Sequence, residues 1–506
     1  MRNVVEYLEA TARRLPDKVA FADEHSAVTF RELEDKARRL GTWLARRAPE
    51  NRTPIAVLVE RGVRSPIAFM AALMCGCCYV PLDGQMPRKR LEAILDQLEA
   101  PVILYGEGDE KLAAQLRDRY PLEPITPHLT EPEDPALLAQ RRASVLDMDP
   151  VYIIFTSGST GVPKGIVCHH RGVMDLAEWL AEAGEFTEMD VLGNQAPFYF
   201  DGSVKDLYMT LKCGATCEIL PKKLFLFPKL LVDCLNQKKV TALQWATSAF
   251  HLVAASGVLA EHRPENLRTV LAGGEAMLAR DLNIWRAALP EVTYINLYGP
   301  TETTVDAAWY KVDREFADYE PIPIGSACAN KELFLLDEQL RPVPQGSPGE
   351  ICIRGSGLAH GYFRDPEKTA ASFIQNPLTP HYPDRIYRTG DIALLNEEGL
   401  LVFQSRQDGQ IKHMGYRIEL GEIERALASF APLKDAICFF DAPQDAIVCY
   451  YAGEADAAAI LGHLKTLVPK YMQPNVFRQL DALPHNANGK VDRVKLKDAY
   501  FHETGR

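Results

Sequence analysis

The chain has 506 residues, of which 47% are hydrophobic and 25% are charged, and its formal net charge is −12 at pH 7. This length favours two or more domains, and the balance of apolar and charged residues excludes a largely disordered protein. The negative charge argues against nucleic acid and against an anionic membrane surface as main partners, so we expect neither.

Helical and strand patterns alternate from residue 29 to residue 299. Leu33, Ala37 and Leu40 recur at the spacing of an amphipathic helix, and Thr29 with Glu32 forms a capping box at its start. Short apolar runs typical of buried strands follow in the segments PIAVLV, APVILY, VYIIF, ATCEIL, RTVLAGG and VTYINLYG. This alternation predicts a sheet covered by helices.

The texture changes past residue 320 to short strands separated by glycine and proline, which suits a small β-subdomain. The charged segment SRQDGQ comes next, and helix and strand patterns resume beyond it. We therefore expect an α/β fold with two domains. The predicted N-terminal domain, residues 1–407, has helix-covered sheets and the β-subdomain, and a small mobile α+β domain covers residues 408–506.

Cysteine usage and the N-terminus bear on the compartment. The eleven cysteines lie in apolar surroundings, and an odd number does not suggest a disulfide framework. Cys75, Cys77 and Cys78 lack a second ligand pair at zinc spacing, so we expect them to pack in the core. The N-terminus has no signal-peptide layout, and no apolar run is long enough to cross a membrane. We expect a cytoplasmic protein.

A loop rich in glycine and hydroxyl side chains, SGSTGVPKG, follows the strand VYIIF. Glycines let the backbone approach an anion, hydroxyls donate hydrogen bonds to it, and Lys164 adds a cation. The Walker loop is excluded, because there the lysine follows glycine and precedes a hydroxyl, whereas Lys164 lies between Pro163 and Gly165. The loop is therefore predicted to bind phosphate, the alternative being a surface turn without a ligand.

The segment YIIFTSGSTGVPKG resembles the phosphate-contacting motif of the adenylate-forming superfamily, which includes acyl-CoA synthetases, luciferases and the adenylation domains of nonribosomal peptide synthetases (NRPS). Further segments that resemble motifs of these adenylation domains follow in the same order along the chain: LMCGCCYVPLD, NLYGPTE, GEICIRGSGLAHGYF, YRTGD, SRQDGQIKHMGYRIELGEIE and LPHNANGKVDR. GNQAPFYFDGSVKDLY is most similar to amino-acid-activating members, and its flanks are similar to D-alanine–carrier-protein ligases.

The resemblance implies a ligase that works in two half-reactions. A carboxylate attacks the α-phosphorus of ATP and releases pyrophosphate, and a thiol then takes the acyl group from the adenylate. The implied requirements are ATP, Mg²⁺ and the phosphopantetheine of a carrier protein. No phosphopantetheine-attachment motif follows Lys490 in this sequence, so we expect a separate acyl or peptidyl carrier protein as the partner.

The resemblance also implies roles for single residues. Lys490, Thr301 and Glu302 would carry catalysis, with Glu302 binding Mg²⁺. Tyr298 would lie under the adenine and Asp391, assisted by Arg406, would bind the ribose hydroxyls. The full implied ATP site is Thr156, Ser157, Gly158, Ser159, Thr160, Gly161, Lys164, Gly274, Asn296, Tyr298, Gly299, Asp391 and Arg406. Without the resemblance, Glu302 reads as a helix-capping acid and Lys490 as a solvated lysine.

Two more positions concern the second half-reaction. Asp408 resembles the hinge residue about which the small domain turns, and Gly415 would lie near the passage for the incoming thiol. This chain has Ser405 where the family commonly has glycine, which puts the extent of the turn in question. The alternative for Gly415 is an ordinary turn residue.

Asp201 matches the position that pairs with the α-ammonium of an amino acid, and a buried carboxylate needs such a partner. The implied substrate pocket is Phe200, Asp201, Gly202, Lys205, Ser248, Leu271, Gly273, Leu297, Val305 and Asp306. The segment WATSAF around Ser248 lacks the proline usual there. D-alanine ligases normally have a bulkier residue where Gly273 stands, so this pocket is expected to admit a larger side chain.

Lys205 and Asp306 allow two interpretations. They either pair with each other, or Lys205 binds a carboxylate or amide of the substrate, which would favour glutamate or glutamine. Three alternative functions stay open from the sequence: a D-alanine–carrier-protein ligase, a CoA ligase for a small carboxylic acid, and a regulatory nucleotide-binding module.

Overall fold

The computed structural model describes residues 1–59, 61–158, 163–407, 410–484 and 491–504. The chain separates into two compact units. The larger unit comprises Met1–Gly84, Leu98–Ile154 and Gly165–Gln407, and the smaller unit comprises Gln85–Gln97, Phe155–Lys164 and Asp408–Arg506. The smaller unit therefore combines the C-terminal part of the chain with two segments from the N-terminal part. The division into domains at residue 408 stays a prediction.

In chain order the helices begin with α1 (Val5–Arg14), α2 (Phe30–Ala45), α3 (Arg64–Met74), α4 (Arg88–Leu98), α5 (Glu110–Leu116), α6 (Ile125–His128), α7 (Pro135–Ala143) and α8 (His170–Ala183). They continue with α9 (Ser203–Cys213), α10 (Pro228–Gln237), α11 (Thr247–Ala255), α12 (Ala279–Ala288), α13 (Pro366–Ser372), α14 (Leu420–Ala428), α15 (Ala457–Leu464) and α16 (Arg493–Glu503).

The strands interleave with these helices. The first are β1 (Val19–Ala22), β2 (Ala27–Thr29), β3 (Pro54–Val59), β4 (Cys78–Asp83), β5 (Ile103–Tyr105), β6 (Leu122–Pro124), β7 (Pro150–Thr156), β8 (Lys164–His169) and β9 (Val191–Asn194). Next come β10 (Thr216–Ile219), β11 (Ala242–Ala246), β12 (Thr269–Gly273), β13 (Thr293–Tyr298), β14 (Ala308–Lys311), β15 (Ser326–Ala327), β16 (Lys331–Leu336), β17 (Gly349–Gly355) and β18 (Gly361–Tyr362). The last are β19 (Phe373–Gln375), β20 (Arg385–Leu395), β21 (Leu401–Arg406), β22 (Gln410–His413), β23 (Tyr416–Glu419), β24 (Leu433–Asp441), β25 (Ala446–Gly453) and β26 (Val476–Gln479).

Two large sheets organise the larger unit within the described residues. Their orders are β15-β14-β13-β12-β11-β9-β10-β1-β2 and β18-β8-β7-β4-β3-β5-β6. The neighbours from β13 through β12, β11, β9 and β10 to β1 are parallel, as are β6, β5, β3, β4 and β7, whereas β2, β14, β15 and β18 pair antiparallel with their neighbours. Parallel pairing follows from the helix that lies between many successive strands. The predicted α/β architecture is therefore confirmed.

The predicted start of α2 is confirmed, because both hydrogen bonds of its capping box are present. The backbone N–H of Glu32 donates to Thr29 Oγ1 over 3.2 Å, and the Thr29 N–H donates to the Glu32 carboxylate over 2.9 Å. The apolar face predicted from Leu33, Ala37 and Leu40 is completely buried. Packing of this face, rather than helix propensity, supplies most of the helix stability.

The β-subdomain is a separate sheet of β16, β17, β20 and β19, with β21 paired to β20, in the described part of the chain. In the smaller unit, β22 and β23 form a hairpin, and β24, β25 and β26 form a sheet in which β25 and β26 are parallel. Cys75, Cys77 and Cys78 are buried, as expected. Within the described ranges, the search for a helix long and apolar enough to span a membrane found none.

Candidate active site

The carboxyl ends of three adjacent parallel strands carry part of the predicted site. Ala246, Gly273 and Leu297 are register partners at the ends of β11, β12 and β13. Ser248 follows as the second residue of α11, and Tyr298 is the last residue of β13. Ligands of α/β proteins commonly bind beyond the carboxyl ends of parallel strands, so this edge is where a site is expected.

Three of the predicted nucleotide residues form one hydrogen-bonded cluster. The Tyr298 hydroxyl donates to Asp391 Oδ2 over 2.6 Å, and the Arg406 guanidinium pairs with the other oxygen of that carboxylate. Burial, followed by the neighbouring Asp391 charge, raises the pKa of Tyr298 well above its ordinary value, so the phenol stays protonated and donates. The cluster holds an acceptor-only group, the carboxylate, in a fixed position beside an aromatic ring.

Three further predicted nucleotide residues shape the backbone around this cluster. The Asn296 amide donates to the Pro323 carbonyl oxygen over 2.8 Å, which anchors β13. A Cβ at Gly299 would lie 2.1 Å from the Val305 carbonyl oxygen, so only glycine lets the chain double back there. Gly274 has φ +98° with open space around its Cβ position, which leaves its backbone accessible.

Glu302 lies in a short 3-10 helix, Thr301–Thr303, and is completely buried. The Tyr362 hydroxyl donates to Glu302 Oε1 over 2.9 Å. Within the described ranges, no group of three or more His, Cys, Asp or Glu residues could hold a metal ion. A single buried carboxylate fits Mg²⁺, which in nucleotide sites binds one or two carboxylates together with substrate phosphates. Tyr362 lies in the segment GEICIRGSGLAHGYF, but its contact with Glu302 was not predicted.

Thr301 connects the Glu302 turn to the predicted ammonium site. Its hydroxyl donates to Asp201 Oδ2 over 2.5 Å, across one hundred residues of sequence. Phe200 and Gly202 form the turn that leads into α9, with the Ser203 N–H donating to the Phe200 carbonyl oxygen. The Asp201 carboxylate is thereby fixed beside the residues that are expected to handle ATP.

The two charged pocket residues are brought together. Lys205 Nζ lies 3.6 Å from Asp306 Oδ1, and the two residues are only 5% and 3% exposed. The structure thus places the two charges beside each other as an ion pair, and the choice between the two interpretations stays a prediction. The apolar pocket residues are buried in the main core: Leu271, Leu297 and Val305. A Cβ at Gly273 would lie 2.8 Å from the Leu297 carbonyl oxygen, which gives this glycine a packing role as well.

Lys331 was missed by sequence reasoning. Its ammonium donates to the carbonyl oxygens of Thr303, over 2.7 Å, and Asp306. It thus ties down the turn in which Thr304 and Val305 have the positive φ angles +58° and +68°. Burial lowers the pKa of Lys331. The segment ANKELFLL shows no pattern that sets this lysine apart from a solvated one.

The described part of the phosphate loop lies in the smaller unit, where Ser157 and Gly158 have protein partners. Ser157 Oγ donates to the Arg417 carbonyl oxygen over 2.6 Å, and the Gly158 N–H donates to the Glu422 carboxylate. The Glu422 carboxylate also pairs with Arg90, and both side chains are buried. Lys164 is buried, and Thr156 Oγ1 is a buried atom without a hydrogen-bond partner among the described residues.

Five predicted site residues lie outside the described residues: Ser159, Thr160, Gly161, Asp408 and Lys490. Gly415 is described, and with Met414 it forms the turn of the β22–β23 hairpin. The two residues have φ angles of +80° and +53°, as in the tight hairpin turns that favour glycine. The roles assigned to single site residues stay predictions.

Comparison with known proteins places the chain in a family. The model of the family described as AMP-binding enzyme matches residues 8–363. The chain belongs to the AMP-binding enzyme family. Membership confirms the resemblance to adenylate-forming enzymes and the expected class, an AMP-forming ligase.

Two relatives that match nearly the whole chain are named as synthases. Tyrocidine synthase 1 of Brevibacillus parabrevis is 31% identical over 503 residues, which cover 98% of this chain and 45% of that protein. Gramicidin S synthase 2 of Brevibacillus brevis is 31% identical over 508 residues, which cover 98% of this chain and 11% of that protein. The chain thus spans less than half the length of these relatives. The expected closeness to D-alanine–carrier-protein ligases stays a prediction.

The solved structure of an NRPS protein supports the fold. Holo-PA1221, an NRPS protein containing adenylation and PCP domains, bound to a vinylsulfonamide inhibitor, superposes with a TM-score of 0.85 at 28% identity. The match covers 98% of this chain and 84% of that chain. The predicted arrangement of a large N-terminal part with sheets and helices and a small C-terminal part is confirmed by this likeness.

Proposed function

We propose that the chain activates an amino acid as its aminoacyl adenylate, releases pyrophosphate and transfers the aminoacyl group to the phosphopantetheine thiol of a separate carrier protein. The observation that carries this proposal is the hydrogen bond between Thr301 and Asp201. It connects the predicted partner of the substrate ammonium to the turn that contains Glu302. The similarity to a solved NRPS protein that contains adenylation and PCP domains supports the proposal.

In the first half-reaction, a substrate carboxylate oxygen bonds to the α-phosphorus of ATP and the bond to the pyrophosphate oxygen breaks. Such transfers are catalysed mainly by positioning and by electrostatic stabilisation. Asp391, held by Tyr298 and Arg406, accepts hydrogen bonds from the ribose hydroxyls, and Asp201 holds the ammonium of the amino acid. Glu302 would hold Mg²⁺, which would supply positive charge against the phosphates. Lys490, by the family resemblance, would supply a further cation between the two substrates.

In the second half-reaction, the sulfur of the carrier thiol bonds to the acyl carbon, the bond from that carbon to the phosphate oxygen breaks so that AMP leaves, and the thiol proton passes to solvent. The proposed hinge at Asp408 would let the C-terminal residues exchange roles between the two steps, and Gly415 would border the path of the thiol. The substrate that we propose has a glutamate- or glutamine-like side chain, because Lys205 is a cation in the predicted side-chain pocket. A cytoplasmic location stays part of the proposal.

The test is ATP–pyrophosphate exchange with a panel of L- and D-amino acids, including D-alanine, and of simple carboxylic acids. We expect exchange with an amino acid and none with carboxylic acids that lack the α-ammonium. Thioester formation is then measured with a holo carrier protein and with coenzyme A as competing acceptors. Exchange only with plain carboxylic acids, and transfer to coenzyme A, would instead identify a CoA ligase.

Lys490 is tested in the same assay. Lys490→Ala should lower the exchange rate at least about a hundredfold while the Kd for ATP changes by less than about threefold, as expected for a contact that is strongest in the transition state. Lys497→Ala, at an exposed position of α16, is the matched control and should behave as the parent protein. Undiminished exchange in Lys490→Ala would remove this lysine from the mechanism.

A further inference from the structure

The pair formed by Lys205 and Asp306 is incompletely hydrogen-bonded for its depth in the protein. Their 3.6 Å separation is longer than a hydrogen bond, although both residues are more than nine-tenths buried. Among the described residues, Asp306 forms the ion pair with the Lys205 ammonium, and the buried Asp206 lies near enough to interact with it electrostatically. Asp306 Oδ2 is buried without any hydrogen-bond partner in the same part of the chain. The pair therefore offers donors on one side and an acceptor on the other.

Leaving such groups unsatisfied is costly, and a buried polar atom without a partner calls for an explanation. A partner for Asp306 Oδ2 must carry an N–H or O–H group. A partner for Lys205 must carry an acceptor. One ligand group that has both a donor and an acceptor would satisfy both members of the pair without adding a buried charge.

The position of the pair indicates which ligand would supply this group. Lys205 lies four residues beyond Asp201, in the first turn of α9, and Asp306 lies five residues beyond Thr301. The Thr301–Asp201 hydrogen bond and the Lys205–Asp306 pair therefore join the same two segments. A ligand whose ammonium binds Asp201 would direct its side chain along these segments toward the pair.

We infer that the amino acid activated by this enzyme has a side-chain carboxamide, as glutamine and asparagine have. The amide oxygen accepts a hydrogen bond from Lys205 Nζ, and the amide N–H donates to Asp306 Oδ2. This inference rests on the proposed function, since it assumes that Asp201 binds the substrate ammonium. It restricts the proposed glutamate- or glutamine-like substrates to amino acids with an uncharged side-chain amide.

Other side chains satisfy the pair less well. A carboxylate accepts from Lys205 but leaves Asp306 Oδ2 without a donor and places a second negative charge beside it. An ammonium side chain donates to Asp306 but repels Lys205. An apolar side chain leaves both groups as they are. A lost hydrogen bond to a charged group corresponds to roughly a tenfold to hundredfold preference for the amide.

The test compares kcat/KM in pyrophosphate exchange for glutamine, asparagine, glutamate, ornithine and norleucine, in both L and D forms. The better of the two amides should exceed glutamate, ornithine and norleucine at least about tenfold. Exchange in which glutamate or norleucine equals or exceeds both amides would overturn the inference and leave amino-acid activation intact. Absence of exchange with every amino acid would overturn the proposed function and this inference together.

A substitution of Asp306 tests directly the role of its Oδ2 atom, which has no hydrogen-bond partner among the described residues. Asp306→Asn removes the acceptor charge and leaves Lys205 as an unpaired cation, so the ratio of amide to glutamate kcat/KM should fall at least about tenfold. Asp35→Asn, which removes one side of the half-buried Arg39–Asp35 pair, is the matched control and should keep the parent ratio. An active Asp306→Asn protein with an unchanged ratio would overturn the inference. If that variant does not fold, the comparison of substrates on the parent protein decides alone.

Discussion

The Thr301 hydroxyl donates a hydrogen bond of 2.5 Å to the Asp201 carboxylate, which joins the turn preceding α9 to the turn following β13. Hydrogen bonds to ionised acceptors are short and about twice as strong as neutral ones. This contact orients the carboxylate that we propose for the substrate ammonium. It also makes the position of that carboxylate depend on a residue of the predicted catalytic motif.

We expect Thr301→Val to raise the KM for the amino acid about tenfold to a hundredfold, because Asp201 loses its orienting donor. Thr301→Ser keeps the hydroxyl and should stay within about threefold of the parent protein by the same reasoning. Steady-state exchange kinetics with varied amino acid measure both. Equal kinetics for the valine and serine variants would show that the hydroxyl has no positioning role.

Lys331→Met should destabilise the protein by about 1–3 kcal/mol, since it leaves the carbonyl oxygens of Thr303 and Asp306 without their donor. The KM for the amino acid should rise more than the KM for ATP, because the turn that Lys331 holds contains Val305 and Asp306. Lys111→Met, at an exposed position of α5, is the control. Urea unfolding and exchange kinetics measure these effects, and a Lys331→Met protein as stable as the control would contradict them.

The Glu422 carboxylate accepts a hydrogen bond from the Gly158 N–H, a group that is predicted to bind the phosphates of ATP. Glu422→Gln removes the charge that competes with phosphate and should lower the Kd for ATP about threefold to tenfold, a modest gain typical of one charged hydrogen bond. Calorimetric titration measures this Kd, with Glu454→Gln at an exposed position as the control. Weaker ATP binding in Glu422→Gln would mean that the carboxylate supports the loop instead of competing for it.

His169 makes stability depend on pH. Its Nδ1 accepts the Gly172 N–H over 3.0 Å as the N-cap of α8, so its Nε2–H donates to the Leu358 carbonyl oxygen over 2.8 Å. Burial, with a smaller effect of His360, lowers the pKa of His169 from its ordinary value of 6.5 to about 4. The unfolded chain therefore binds more protons between these values, and stability falls as pH drops through this window.

Protonation of His169 is expected to lower the free energy of unfolding by at most about 3 kcal/mol between pH 7 and pH 4. Asparagine can also cap a helix but does not titrate, so His169→Asn should lose about 1–3 kcal/mol less over this range. Urea unfolding at several pH values gives the comparison. Parallel pH profiles for the two proteins would rule out His169 as the source. The neighbouring His170, whose pKa burial also lowers to about 4, stays in both proteins.

Much of the fold could be predicted from the sequence because its signals are local. The capping box at Thr29 and the apolar face of α2 depend on residues within a few turns of each other, and both are confirmed. Strand order was not predictable, because pairing such as that of β1 with β10 joins residues almost two hundred positions apart. The sequence of neither strand carries a periodic signal that identifies a partner so far away along the chain.

The site divides in the same way. The sequence by itself determined the family, through motifs whose order and spacing are linear properties of the chain, and it indicated the charges of Asp201, Glu302 and Asp391. Only the tertiary structure decided how those charges are satisfied, because the partners come from distant segments. The sequence shows no sign of the contacts of Lys331 and Tyr362, and it leaves the pairing of Lys205 with Asp306 as one of two interpretations. These contacts arise because folding removes water from the groups involved, and a buried polar group without a hydrogen bond costs free energy.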